Sequence, residues 1–151
     1  MASRGFTLLE LMVVLVILTL MVALVPPLLS GLGITTELRG SARQLAAGLR
    51  AARNAAITEQ RAATLTVDLD SRTFKVSSDP RIIGLPAEDK VEIKLYTAQA
   101  ELMSDKTGSI RFFSDGSSTG GHITLADDKV EYRVNVDWLT GRVNIEDRDV
   151  Q

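Results

Sequence analysis

Cysteine is absent from this 151-residue chain, so neither a disulfide nor a thiolate metal site can be built. The folded body must hold together by packing alone. His122 is the one histidine, which leaves few routes to nucleophilic or acid–base chemistry. A serine triad would need His122 beside an acid and a serine such as Ser117 or Ser118, and neighbours within one loop seldom reach that geometry. The adjacent acids Glu88-Asp89, Asp127-Asp128 and Glu146-Asp147 read as solvated turns. No catalytic residues and no small-molecule substrate or cofactor are expected. Internal repeats and low-complexity tracts are also missing.

Basic residues are missing from Phe6 to Ile34, where the chain is apolar instead. From Leu11 to Val25 only Thr19 is polar, and Phe6 to Leu29 makes a 24-residue stretch containing Thr7 and Glu10. About 20 residues cross a hydrocarbon core as a helix. The leader Met1-Ala2-Ser3-Arg4-Gly5 is short and no Ala-x-Ala follows the run, unlike a cleaved secretory signal. Glu10 is then an acid inside a membrane-length segment, which costs roughly 2.5–3.5 kcal/mol and calls for a partner. A cut after Gly5 would give Phe6 a free α-amine about one helical turn from Glu10. In a stack of helices, the Glu10 of one subunit could neutralise the amine of its neighbour and set the filament's register.

Gly5-Phe6-Thr7-Leu8-Leu9-Glu10 before an apolar run resembles the class III signal of type IV pilins and type II secretion pseudopilins. The resemblance implies a prepilin peptidase that cuts between Gly5 and Phe6 and methylates Phe6, with Glu10 guiding assembly. A plain signal anchor with an incidental glutamate is the competing reading. Formal net charge is −2, and loss of Arg4 with a leader would leave −3. That balance argues against non-specific nucleic-acid binding. Arg4 favours a cytoplasmic N-terminus while Arg39, Arg43, Arg50 and Arg53 pull the other way. Charge alone does not decide topology; the resemblance does, implying an inner-membrane anchor with a periplasmic C-terminal domain.

Pro26 and Pro27 remove two backbone donors, predicting a kink or an unwound stretch extended by Ser30, Gly31 and Gly33. A helix end at Val25 with a new helix near Thr35 or Thr36 is the alternative. Beyond the break, Leu38, Ala42, Leu45, Leu49, Ala52 and Ala56 recur at spacings of four and three, an apolar stripe suited to a core. Arg39, Arg43, Arg50 and Arg53 lie on an adjacent face, solvated or set against acidic neighbours in an assembly. From Ala63 the period becomes two: Leu65, Val67 and Leu69, a turn at Asp70-Ser71-Arg72, then Phe74 and Val76 form a hairpin. Residues 78–89, with Pro80, Gly84 and Pro86, read as a loop. Further strands are expected at Val91–Leu95, Ser109–Phe113, Gly121–Leu125, Lys129–Val136 and Arg142–Ile145, with turns at Asp127-Asp128 and Thr140-Gly141.

This pattern predicts an α+β chain in which a long N-terminal helix, half transmembrane and half amphipathic, packs on an antiparallel, β-sandwich-like domain of two small sheets. The segments are a leader at 1–5, a hydrophobic transmembrane or filament-core helix at 6–29, an amphipathic helix at 30–60 and a β-rich domain at 61–151.

Arg111 to Gly121 is the second distinctive stretch, with Phe112, Phe113, Asp115, Gly116, Gly120 and Gly121. It has no Lys and leads into a strand, so it is not a P-loop. Phe-Phe-Ser-Asp-Gly-Ser-Ser-Thr-Gly-Gly, with Trp138 to Val143 further on, resembles the GspH/FimT family of minor pseudopilins. Proline is common where this chain has Ser114. The resemblance covers the N-terminal segment and the C-terminal 40 residues; 57–106 are read from periodicity. It implies a type IV pilin-like fold and a structural subunit at the tip of a type II secretion pseudopilus, beside pseudopilins I, J and K and near the major pseudopilin G. The alternative is a FimT-like minor pilin in pilus priming or DNA uptake. Asp147 and Asp149 near the C-terminus read as a solvated end, and no metal is assigned there.

Overall fold

The computed structural model describes residues 7–149, with the side chains of 22–35 and of Ala100 outside that description. Gly5 and Phe6, the expected cleavage and methylation positions, lie outside the described residues. The chain divides into two compact units, Met1–Thr36 and Glu37–Gln151.

Helix α1 spans Leu8–Thr58. It begins where Thr7 Oγ1 accepts the backbone N–H of Glu10 at 3.3 Å, the Thr-x-x-Glu spacing of a capping box. Every described side chain from Leu8 to Met21 is exposed. Thr19 returns its hydroxyl to the carbonyls of Leu15 and Val16 at 3.0 and 2.8 Å, so the one polar residue of Leu11–Met21 needs no outside partner. Among the described residues no helix is long and apolar enough to cross a membrane. The run read from sequence continues past Met21 into residues 22–35.

The backbone is helical through Pro26 and Pro27, so the unwound stretch, and the alternative of two separate helices, give way to one element. Two prolines withhold two N–H donors, whereas ending and restarting a helix would orphan four donors and four acceptors. A bend at these prolines remains compatible with continuous helix.

Within the second unit, Leu38, Ala42, Leu45, Ala46, Leu49, Ala52 and Ala56 of α1 are fully buried. Gly48 brings the helix down on the first sheet: a Cβ there would sit 3.0 Å from Leu65 and Phe74. The helix ends as Gln60 takes a left-handed φ of 51° and its Nε2 donates to the Ile57 carbonyl at 2.7 Å, satisfying an acceptor that the helix leaves open.

Eight strands follow among the described residues: β1 Ala63–Asp68, β2 Thr73–Val76, β3 Ile82–Gly84, β4 Glu92–Thr97, β5 Thr107–Phe112, β6 Gly121–Ala126, β7 Val130–Val136 and β8 Val143–Asp149. They form two antiparallel four-stranded sheets, β3-β2-β1-β5 and β4-β6-β7-β8. Alternation sets the register. Leu65 pairs with Val76 and Ile110, and Ile123 with Val134, placing apolar side chains on buried rows. The β1–β2 turn closes because Asp68 Oδ1 accepts the N–H groups of Asp70 and Ser71 at 2.9 and 3.1 Å.

Two elements escaped the periodicity. Strand β3 lies inside the expected 78–89 loop, since three residues pairing with β2 are too few to display a period. A 3-10 turn at Gln99–Glu101 sits between β4 and β5. It is anchored by Glu101, which accepts Arg111 Nε at 2.7 Å and Ser109 Oγ at 2.7 Å while itself buried. The two sheets meet there, where Thr97 Oγ1 donates to the Ser109 carbonyl at 2.6 Å. At Gly108 an added Cβ would lie 2.8 Å from Leu95, so glycine permits the approach.

Candidate functional site

Two regions carry the residues singled out in the sequence. In the first unit, Glu10 occupies the third helical position, where its carboxylate complements the positive end of the helix. This local role needs no partner subunit, and a reading centred on membrane burial overlooks it. The spacing Thr7-x-x-Glu10 carries the signal. Among the described residues Glu10 forms no ion pair.

In the second unit, the distinctive loop joins β5 to β6 and lies against the β7–β8 turn. Phe112 closes β5 and is fully buried, whereas the neighbouring Phe113 is 40% exposed. From there the backbone folds on itself: Phe113 N–H donates to Ser117 O at 2.9 Å and Gly116 N–H to Phe113 O at 2.9 Å. Asp115 fixes the bend by accepting the N–H and hydroxyl of Ser117 at 2.9 and 2.6 Å. These bonds hold its carboxyl below the ordinary carboxylate range. Ser118 ties this loop to the next, its N–H donating to Trp138 O at 2.8 Å and its hydroxyl to Asp137 O at 3.1 Å.

Asp137 builds the second turn in the same way. Its Oδ1 accepts the Thr140 N–H and hydroxyl, both at 2.7 Å, and these bonds depress its pKa. Backbone geometry explains the glycines. Gly121 has φ 133° and an added Cβ would fall 2.3 Å from the Tyr96 carbonyl. Gly141 has φ 61° and a Cβ would fall 2.2 Å from the Gly116 carbonyl, so the two loops touch through bare backbone.

Both loops are fastened to α1 by arginines. Arg53 Nε donates to Gly116 O at 3.1 Å and a terminal nitrogen of Arg50 donates to Val143 O at 3.1 Å. Each spends one donor on a neutral carbonyl, a contact outside the solvated or acid-facing reading, while Arg50 stays exposed and Arg53 half-buried. Sequence signals them only as arginines three apart beside the buried stripe. Within the second unit the structure thus joins Phe112, Asp115, Gly116, Gly120 and Gly121 with the Trp138–Val143 turn.

The hydroxyls invoked for a triad are committed elsewhere. Ser117 and Ser118 have no histidine among their hydrogen-bond partners. His122 stacks on Tyr96, with centroids 5.0 Å apart and planes 7° apart. Burial, and then the Arg133 charge, push its pKa down, favouring the neutral ring.

Comparison with known proteins agrees with this division. The profile of the family described as "Type II transport protein GspH" matches residues 41–140, and that of the "Prokaryotic N-terminal methylation motif" matches residues 1–26. The chain is 32% identical over 140 residues to Type II secretion system protein H of Xanthomonas campestris pv. campestris, covering 93% of this chain and 81% of that protein. Its fold is similar to the type IV minor pilin FimU of Pseudomonas aeruginosa, with TM-score 0.58, 15% identity and coverage of 78% and 95% of the two chains. It is also similar to the minor pseudopilin EpsH of the Vibrio cholerae Type 2 Secretion System, with TM-score 0.51, 13% identity and coverage of 73% and 96%. The architecture is therefore α+β and type IV pilin-like, and with residues 41–140 covered by the family profile the chain belongs to the GspH family of type II transport proteins.

Proposed function

We propose that the protein is a minor pseudopilin, a structural subunit at or near the tip of a periplasmic type II secretion pseudopilus. One observation carries the reading: an N-terminal methylation motif and a GspH domain occupy a single chain. The capped, exposed apolar start of α1 suits lateral packing among like helices, and the loop junction stiffens the domain that such a helix would carry. Prepilin peptidase is the processing partner, cutting between Gly5 and Phe6 and methylating Phe6. Minor pseudopilins I, J and K and the major pseudopilin G are the assembly partners, and the inner membrane holds the subunit before incorporation. The role is structural, with Ser117, Ser118 and His122 engaged in the fold rather than in catalysis.

Deleting the gene and assaying exported enzymes in the culture medium tests this function. Loss of export, restored by the wild-type chain, is the expected result. Normal export with defective pili or DNA uptake would move the chain to the FimT-like alternative.

A further inference from the structure

A cleft of about 320 Å³ opens where α1 meets the β7–β8 turn, lined by Arg50, Arg53, Asn54, Arg142 and Asn144 with the backbone of Gly141 and Val143. Among the described residues the ion pairs include none of Arg50, Arg53 and Arg142, nor Arg39 and Arg43 on the same helix flank. Arg50 and Arg53 each give one N–H to a backbone carbonyl, which fixes the guanidinium without neutralising it and leaves further donors free. Asn54, Asn144 and the Arg142 side chain donate to nothing among the described residues. Asp137, whose carboxyl feels the Arg142 charge, is already committed to Thr140. Three cations and two amides therefore line one cleft, with Arg50 and Arg53 held in place by their carbonyl bonds and donors left over for an oxyanion.

The charge distribution selects the occupant. Between residues 37 and 58, α1 carries four arginines against one glutamate, whereas residues 59–149 carry 17 acids and 12 bases. The arginine-rich flank of α1 and the excess of carboxylates on the rest of the domain are complementary, so a subunit of similar composition brings acids to a cleft that holds only cations and amides. We propose that this cleft receives an Asp or Glu side chain from a neighbouring protein subunit in the filament. The inference rests on the pseudopilin reading. Acids of the required kind stand on this chain's own β8, where Asp147 and Asp149 are exposed and form no ion pair among the described residues.

The test uses the full chain, with a photo-crosslinking amino acid replacing exposed Asn144, in cells that carry the whole secretion system. Irradiation is expected to join it to one other filament subunit through a peptide containing Asp or Glu. Arg142→Glu, which disturbs no side-chain bond of the fold, is expected to cut the adduct roughly tenfold or more, and Arg142→Lys to retain most of it. Reversing the captured acid to Arg is expected to restore the Arg142→Glu adduct. An adduct indifferent to Arg142→Glu overturns the proposal, as does its absence while wild-type chain still enters the filament and supports export. Failure of the wild-type chain to enter any filament overturns the pseudopilin reading and this proposal together. Saturable inorganic phosphate binding by the purified chain, without a crosslink, would assign the cleft to a free anion. Arg142-dependent retention of duplex DNA, again without a crosslink, would assign it to nucleic acid.

Discussion

Arg53 Nε donates to the carbonyl oxygen of Gly116 at 3.1 Å, linking the buried face of α1 to the loop between β5 and β6. The same carbonyl lies 2.2 Å from where a Cβ on Gly141 would stand, and Arg53 Nε lies 2.8 Å from it. Helix, first loop and second loop thus share one point of contact, open only because residue 141 lacks a side chain. Gly141→Ala combines a left-handed φ with overpacking against backbone, and should cost about 3 kcal/mol. Urea unfolding of the full chain in detergent micelles would check this. A loss under about 0.5 kcal/mol would mean that the contact is slack.

Adjacent phenylalanines give an internal control. Phe112 is fully buried and Phe113 is 40% exposed. Phe112→Ala should lose about 4 kcal/mol, against about 1 kcal/mol or less for Phe113→Ala. Equal losses in the same unfolding assay would contradict the packing described. If Phe113 contacts another subunit, Phe113→Ala would reduce assembly while leaving chain stability nearly unchanged.

Glu101 supplies a pH dependence. Burial on its own would raise its pKa, but hydrogen bonds from Arg111 and Ser109, together with the Arg111 charge, lower it below the ordinary 4.5. A depressed carboxyl contributes stability that is complete above the unfolded value and is lost as pH falls through the folded one. Stability should therefore decline on acidification below about pH 4.5, with part of the slope due to Glu101. Glu101→Gln should flatten that part and cost about 2 kcal/mol at neutral pH through the weakened contact with Arg111. Asp68, Asp79, Asp115 and Asp137 are depressed as well, so a residual acid slope remains. An unchanged slope in Glu101→Gln would contradict the assignment.

Period-two alternation made most of the strands readable, because Leu65, Val67, Phe74 and Val76 must face one side to be buried. The helix stripe from Leu38 to Ala56 was equally legible, for burial at spacings of three and four leaves its mark in composition. Strand β3 and the Gln99–Glu101 turn left none, since each is three residues long and held by pairing or by one ion pair. Proline chemistry at Pro26 and Pro27 pointed to unwinding, yet helix continuity leaves fewer backbone groups unpaired. In the distinctive loop, the glycines announced unusual backbone. Nothing local announced that Arg50 and Arg53, more than 60 residues away in sequence, would bond to it and to its neighbouring turn, because such pairings depend on tertiary approach.

Glu10 gives the most direct test of the filament account. The cap geometry assigns its backbone N–H to Thr7 Oγ1, a bond that any residue at position 10 retains, while the proposed assembly role would assign its carboxylate to the Phe6 amine of its own or a neighbouring subunit. Glu10→Leu should therefore fold and be cut after Gly5, giving the mass of a chain that begins at Phe6, yet be absent from sheared pseudopili and fail to restore export in a deletion strain. Incorporation and export at wild-type levels by Glu10→Leu would contradict the account.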